Sequence, residues 1–248
     1  MAFINLKFYS TSLQMETEVN VILPQKEVAG VTSENCKCLY LLHGLSDNQS
    51  MWTRRSSIER YADEYGICVI MPSGGRSFYF NQANGENYYD FVANELPQRI
   101  EEIFKVSTKR EDKYIAGLSM GGYGALKIAL KETDKFCAAA GLSSVADIKT
   151  ELFKGHLSGI LNGRTNVIED DNLYNLVKKK ENDVNKPRLY MWCGTEDFLY
   201  EDNVKFKEYM KNFNYDFTYR ESEGNHSWEY WDTQIVEVIK WMLNDDKN

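Results

Sequence analysis

The chain has 248 residues, of which 43% are apolar and 27% are charged, and its formal net charge is −8. This length predicts a single domain over residues 1–248, because α/β folds often reach about 200–250 residues as one unit. An acidic chain whose only basic cluster is the lysine run at 178–180 is not expected to bind nucleic acid. No apolar run approaches the roughly 18–20 residues of a membrane span, so we expect no membrane partner.

The first two elements are strand-like segments at residues 3–9 and 16–23. The second alternates Val19, Val21 and Leu23 with polar residues, as a half-buried antiparallel pair does. After a polar stretch at 25–37, short runs that are almost wholly apolar follow at 38–42, 67–71, 114–118, 138–142 and 189–193, with a weaker run at 217–222. Runs that are apolar on both faces are typical of parallel strands covered by helices on each side.

Segments with helical periodicity separate these runs, at residues 58–65, 91–104, 122–131, 203–213 and 228–243. The last is the clearest, since its apolar residues from Trp228 to Met242 recur at three- and four-residue steps. The alternation predicts an α/β fold with a mostly parallel, doubly wound sheet, whose ligand site lies at the carboxyl ends of the strands. Residues 143–187 interrupt the rhythm, and this insertion is either a lid or substrate wall, or a helical surface excursion.

The strongest chemical signal is a G-x-S-x-G motif at residues 117–121, between a predicted strand and a predicted helix. A nucleophile at such a sharp turn needs glycine on both sides, because larger side chains would collide with the strand or the helix. The helix N-terminus also favours the negative charge of an oxyanion. We therefore interpret Ser119 as a nucleophile; the alternative is a small-residue turn that packs a helix onto a strand.

A serine nucleophile needs an imidazole base, and the chain has only His43, His156 and His226. When the order is nucleophile, acid, histidine, the base lies downstream of the serine. His156 lies inside the insertion, whereas His226 lies in a turn between the last strand and the last helix. His226 is therefore the predicted base, and His43 is interpreted as a structural residue that braces its own turn.

The acid is expected after the strand at 189–193, where Glu196 and Asp197 both qualify chemically. Asp197 is preferred, because the shorter carboxylate is the usual partner in this loop and apolar residues follow it. The oxyanion donors are predicted to be the backbone N–H groups of Met120, after the nucleophile, and Leu45, after the His-Gly pair that ends an earlier strand.

Five cysteines, an odd number without a C-x-x-C pattern, argue against a disulfide scaffold and favour a reducing cytoplasm. Cys36 and Cys38 have the spacing to pair or to bind a metal, but Cys38 opens an apolar run and is interpreted as a buried residue. The three histidines form no zinc pattern, so we expect no metal and no cofactor.

Four segments together resemble the esterase D-like branch of the α/β hydrolases, and most closely the bacterial tributyrin esterases. They are residues 41–48 (LLHGLSDN), 115–124 (IAGLSMGGYG), 192–200 (WCGTEDFLY) and 226–231 (HSWEYW). The resemblance covers nearly the whole chain. It implies an α/β-hydrolase fold with antiparallel N-terminal strands and helices on both faces.

The same resemblance implies a serine carboxylesterase that hydrolyses short-chain acyl esters through an acyl-enzyme intermediate. It places Ser119, Asp197 and His226 at the triad positions, and Leu45 and Met120 at the oxyanion positions. S-formylglutathione hydrolases, feruloyl esterases and acetyl-xylan esterases are related branches, and an acyltransferase would use the same triad. A non-catalytic binding module on a hydrolase scaffold is a further alternative.

Four aromatic residues near the strand ends are candidates for substrate binding, with ordinary core packing as the alternative: Trp52, Tyr123, Phe198 and Tyr200. The expected partner is a small-molecule ester. A homo-oligomer is compatible with these features, and the oligomeric state stays open.

Overall fold

The computed structural model describes residues 1–24 and 34–243. Most of the polar stretch at 25–37 lies outside the described residues. Within the described chain, eight strands form one sheet: β1 (Ala2–Ser10), β2 (Met15–Leu23), β3 (Cys38–Leu42), β4 (Cys68–Pro72), β5 (Lys113–Leu118), β6 (Ala138–Leu142), β7 (Arg188–Gly194) and β8 (Phe217–Ser222). Each strand end lies within one residue of its predicted position.

The strands are arranged in the order β1-β2-β4-β3-β5-β6-β7-β8. The β1–β2 and β2–β4 pairs are antiparallel, and the pairs from β4 to β8 are parallel. The predicted fold, a mostly parallel sheet with antiparallel N-terminal strands, is therefore confirmed. Because β3, β5, β6 and β7 are parallel neighbours, the loops after them meet at one edge of the sheet.

Ten α-helices connect and cover the strands of the described chain: α1 (Met51–Arg55), α2 (Ile58–Tyr65), α3 (Tyr88–Asp90), α4 (Leu96–Phe104), α5 (Met120–Lys131), α6 (Glu151–Leu161), α7 (Thr165–Asp171), α8 (Leu173–Lys179), α9 (Tyr200–Met210) and α10 (Trp228–Leu243). A π-helical turn joins α3 to α4 at Phe91–Glu95. The bounds of α2 and α10 are those predicted, whereas α9 begins three residues earlier than the predicted segment.

The core has two layers, one on each face of the sheet. On one face, α1, α2 and α10 bury an apolar cluster that includes Trp52, Ile58 and Trp231. On the other face, α4, α5, α8 and α9 pack around a second cluster. The helices on both faces were expected, because a strand such as β6 is buried along its whole length and needs cover on each side.

The insertion at 143–187 carries three helices, α6, α7 and α8. Several of its apolar side chains are buried on the core, among them Phe153, Leu157 and Leu176, whereas Leu152 and Val184 are exposed. Polar contacts also hold it: Asp171 at the end of α7 forms ion pairs with two lysines of α5.

No helix in the described part of the chain is both long and apolar enough to cross a membrane.

Candidate active site

Ser119 occupies a strained turn between β5 and α5. Its φ of 53° and ψ of −118° lie in a region that non-glycine residues rarely adopt. A Cβ atom on Gly117 would lie 2.4 Å from the carbonyl carbon of Gly121, and one on Gly121 would lie 2.5 Å from the carbonyl oxygen of Leu42. Both flanking positions therefore require glycine, for the steric reason predicted from the motif.

The structure brings Ser119, His226 and Asp197 together from three separate loops. The Oγ of Ser119 lies 3.0 Å from Nε2 of His226, and Nδ1 of His226 lies 2.9 Å from Oδ2 of Asp197. Because the carboxylate only accepts, Nδ1 carries the imidazole proton and Nε2 accepts from the hydroxyl. This arrangement lets the imidazole take the serine proton while the carboxylate holds its tautomer and orientation.

The Asp197 carboxylate is buried and ionised. Burial by itself raises its pKa, but the hydrogen bond from His226, followed by the histidine's charge and the N–H of Leu199, outweighs burial and lowers the pKa below its usual range. The Leu199 bond measures 2.9 Å. A fixed negative charge therefore faces the imidazole.

Glu196, the other acid considered for this role, points elsewhere. Its Oε2 accepts from the N–H of Gly224 over 2.6 Å, and its own N–H donates to the carbonyl of Gly224 over 2.9 Å. These bonds tie the loop after β7 to the loop that carries His226. Glu196 therefore holds the histidine loop, and Asp197 is the acid that touches the imidazole.

The two predicted oxyanion donors lie on turns that pack against each other. Met120 is the first residue of α5, and the first N–H groups of a helix have no acceptor within it. Leu45 follows Gly44 in the turn after β3, where a Cβ atom on Gly44 would lie 2.6 Å from Cδ1 of Leu118. The turn that carries Leu45 thus lies against the residue that precedes Ser119.

His43 braces this turn through both ring nitrogens. Nδ1 donates to the carbonyl of Gly44 over 2.8 Å, and Nε2 accepts from the N–H of Gly74 over 2.8 Å. Burial lowers the pKa of His43 to about 4, with the Gly44 carbonyl opposing this effect. The ring is therefore neutral near pH 7 and acts as a fixed donor and acceptor.

Two residues that sequence reasoning did not select, Ser143 and Trp231, lie beside Asp197 and His226. Ser143 follows β6 with a φ of 45°, and its Oγ accepts from the indole N–H of Trp231 over 3.0 Å. A hydrogen bond from Ser143 also contributes to the lowered pKa of Asp197. The Trp231 ring stands edge-on to His226, with centroids 4.9 Å apart. A signal was present, since Ser143 directly follows a strand at the predicted ligand edge.

Two of the four aromatic candidates for substrate binding are core residues. Trp52 is 1% exposed, and its indole N–H donates to the carbonyl of Leu42; Tyr123 is fully buried, and its hydroxyl donates to the carbonyl of Asp171. No substrate can reach either ring in this conformation, so core packing describes both. This corrects the expectation that they contact substrate.

The other two aromatic candidates lie beside the site. Phe198 is 62% exposed, and its ring centroid is 4.5 Å from that of His226. Tyr200 is half-buried at the start of α9, where its backbone N–H donates to the carbonyl of Asp197 over 2.9 Å. Phe198 is therefore the one of the four that combines exposure with contact to the imidazole.

The remaining histidine and the cysteines lie outside this arrangement. His156 lies on α6, with Nε2 2.6 Å from the carbonyl of Arg76. All five cysteines are free thiols. Among residues 1–24 and 34–243, no three His, Cys, Asp or Glu side chains are grouped so that they could hold a metal ion.

A mostly parallel sheet with a strained serine at a strand-to-helix turn defines an α/β hydrolase of the serine type. The model of the family described as "Putative esterase" matches residues 10–242. The chain belongs to this esterase family.

Individual proteins are similar over nearly the whole chain. An acetyl esterase of Caldicellulosiruptor saccharolyticus is 35% identical, with 98% of each chain covered. FphF, a fluorophosphonate-binding serine hydrolase of Staphylococcus aureus, is 37% identical with a TM-score of 0.88, and covers 97% of this chain and 98% of its own. The S-formylglutathione hydrolase FrmB of Staphylococcus aureus is also 37% identical, with a TM-score of 0.85 and the same coverage.

Proposed function

We propose that the protein is a serine carboxylesterase that hydrolyses short-chain acyl esters through an acyl-enzyme intermediate. The observation that carries this proposal is the continuous chain of contacts from Ser119 Oγ to His226 Nε2 at 3.0 Å, and from His226 Nδ1 to Asp197 Oδ2 at 2.9 Å. The similarity to an acetyl esterase supports a short acyl group.

In the proposed reaction, His226 accepts the Ser119 proton as Oγ attacks the ester carbonyl carbon. The N–H groups of Leu45 and Met120 bind the resulting oxyanion, and Asp197 stabilises the imidazolium. Collapse of the tetrahedral intermediate breaks the ester C–O bond, and His226 gives its proton to the leaving alcohol. A water molecule then attacks the acyl-enzyme by the same steps and releases the acid.

Phe198 is proposed to contact the substrate, because it is an exposed aromatic ring beside the base. Tyr200 is proposed to contact the substrate as well, at a greater distance from His226. An aryl leaving group that takes its proton from His226 is proposed to pack on the Phe198 ring.

A second candidate is hydrolysis of an S-acyl thioester such as S-formylglutathione. The similarity to FrmB, at 37% identity over 97% of the chain, favours it specifically. The same triad and oxyanion donors serve both reactions, since a thiolate replaces the alkoxide as leaving group. We further propose that the protein works in the cytoplasm, where its five free thiols stay reduced.

The proposal is tested by labelling and by a substrate panel. A fluorophosphonate should modify Ser119 in the native chain, as peptide mass spectrometry would show, and His226→Gln should prevent the reaction. Modification of another residue would contradict the proposal.

A substrate panel then separates ester from thioester hydrolysis. We would compare kcat/KM for S-formylglutathione with kcat/KM for five esters: p-nitrophenyl acetate, p-nitrophenyl butyrate, tributyrin, methyl ferulate and acetylated xylo-oligosaccharides. Product analysis with an added alcohol detects acyl transfer.

A further inference from the structure

The loop after β4 contains two strained residues that the proposed mechanism does not use. Phe78 has a φ of 50° and Tyr79 a φ of 53°, and both side chains are fully buried. Left-handed backbone is unfavourable for a residue with a Cβ atom, and two consecutive residues of this kind persist only where their surroundings fix them.

A buried lysine fixes this pair. Nζ of Lys127 lies 2.8 Å from the carbonyl oxygen of Tyr79 and 3.3 Å from that of Phe78. It also lies 3.7 Å from the ring centroid of Phe80 and 3.5 Å from Oδ2 of Asp171. Burial lowers the pKa of Lys127 to about 7, with the Asp171 charge opposing this effect. The charged ammonium and the neutral amine of Lys127 both carry N–H donors, so the contacts to the two carbonyls hold on either side of pH 7.

The side chain of Tyr79 connects this loop to the turn after β3. Its hydroxyl donates to the carbonyl oxygen of His43 over 3.0 Å. Its ring fills the space beside Gly124 of α5 and Gly74, where added Cβ atoms would lie 2.4 Å and 2.6 Å from ring atoms. The neighbouring N–H of Gly74 donates to Nε2 of His43. The loop after β4 therefore holds both the carbonyl and the ring of His43.

Hydrogen bonds to the carbonyls of His43 and Gly44 also fix the N–H group of the same peptide in each case. In a trans peptide the C=O and N–H bonds point in opposite directions. The bond from Tyr79 orients the peptide between His43 and Gly44. The bonds to the Gly44 carbonyl, from His43 Nδ1 at 2.8 Å and from the N–H of Asp47 at 3.2 Å, orient the next peptide, whose N–H belongs to Leu45.

We propose that Tyr79 is a positioning residue for the oxyanion donor Leu45, acting through the carbonyl of His43. The role rests on the proposed function, because it requires the Leu45 N–H to bind the oxyanion. Tyr79 touches no reacting atom, so its contribution lies in holding the donor where charge develops in the transition state. Loss of the hydroxyl should therefore weaken binding of the transition state more than binding of the substrate.

The test compares Tyr79→Phe with Tyr215→Phe. Each variant removes one tyrosine hydroxyl that donates to a backbone carbonyl over 3.0 Å. The acceptor of Tyr79 is His43, whereas the acceptor of Tyr215 is Val177 on the insertion helix α8. With p-nitrophenyl acetate, we expect kcat of Tyr79→Phe to fall about tenfold with KM within twofold, and Tyr215→Phe to keep both values. An alkyl boronic acid forms a tetrahedral adduct with a reactive serine, and its Ki should rise about as much as kcat/KM falls.

A second variant disturbs the hydrogen bond between Tyr79 and His43 without removing the hydroxyl. Gly124→Ala adds a methyl group that pushes on the Tyr79 ring while the hydroxyl remains, so kcat should again fall without a matching change in KM. Equal kcat and boronate Ki for Tyr79→Phe and Tyr215→Phe would overturn the inference. If native Ser119 is nevertheless labelled by a fluorophosphonate, the proposed function stands and only the role of Tyr79 fails.

Discussion

The indole N–H of Trp231 donates to the hydroxyl oxygen of Ser143 over 3.0 Å. The Ser143 hydroxyl in turn contributes to the lowered pKa of Asp197. The edge of the same indole packs against His226. Trp231 therefore contacts Ser143 by a hydrogen bond and His226 by an aromatic contact.

Ser143 and Trp231 should affect turnover as a coupled pair. Ser143→Ala should lower kcat about 10-fold to 100-fold, because a hydrogen bond to a charged group contributes roughly 1.5–3 kcal/mol. Trp231→Phe removes the indole N–H while keeping an aromatic ring beside His226, and should lower kcat by a smaller factor. In the Ser143→Ala background, Trp231→Phe should have almost no further effect on kcat. Additive losses in this double-mutant cycle would show that the two residues act independently.

The two neighbouring acids should differ sharply. Asp197→Asn should lower kcat about 10⁴-fold, because an amide cannot hold the imidazole in the required tautomer. Glu196→Gln keeps an oxygen acceptor for the N–H of Gly224 and should lower kcat less than tenfold. The measurement is kcat on p-nitrophenyl acetate for both variants. A larger loss in Glu196→Gln than in Asp197→Asn would reverse the assignment.

Phe198→Ala should affect substrate binding and leave stability unchanged. The ring is 62% exposed and packs on His226, so its loss should raise KM for p-nitrophenyl esters about threefold to tenfold at nearly constant kcat. Phe3→Ala, an exposed phenylalanine on β1, serves as the matched control and should change neither constant. An unchanged KM in Phe198→Ala would mean that substrate does not contact this ring.

Stability should fall in mild acid because of His43. Its pKa is about 4 in the folded protein, below the ordinary value of about 6.5, so the unfolded chain binds the proton more readily between these values. The free energy of unfolding should therefore decrease as the pH falls through 6.5 and level off near 4, by at most about 3 kcal/mol.

Urea unfolding of the native chain and of His43→Gln at pH 7.5, 6 and 5 checks this expectation. Glutamine offers a donor and an acceptor but does not titrate in this range. The difference in unfolding free energy between the two proteins should shrink as the pH falls. Parallel pH dependences would contradict a buried neutral histidine at this position.

The fold was predictable because its signals are local. Buried parallel strands are short apolar runs with sharp polar ends, so β3 and β6 have the bounds that the pattern gives. The insertion was less predictable: α7 and α8 have seven residues each, and helices this short depend on tertiary contacts such as the Asp171 ion pairs.

The three residues that the structure brings together, Ser119, His226 and Asp197, could be selected from the sequence where chemistry limits the choice of residue. Few histidines and one strained G-x-S-x-G turn left little freedom for the serine and the base. The supporting residues were less accessible, because an apolar stripe on α10 marks Trp231 as core without revealing its N–H partner. Likewise, Trp52 and Tyr123 are aromatic residues near strand ends, but sequence does not give the direction in which a side chain points.

Nucleophilic catalysis by Ser119 is tested most directly by the turnover of p-nitrophenyl acetate by Ser119→Ala. Ser158→Ala, which changes an exposed serine of α6, provides the matched control. We expect Ser119→Ala to lower kcat/KM by at least about 10⁴-fold with an unchanged thermal midpoint, and Ser158→Ala to keep native turnover. Turnover by Ser119→Ala within tenfold of the native protein would contradict nucleophilic catalysis by this serine.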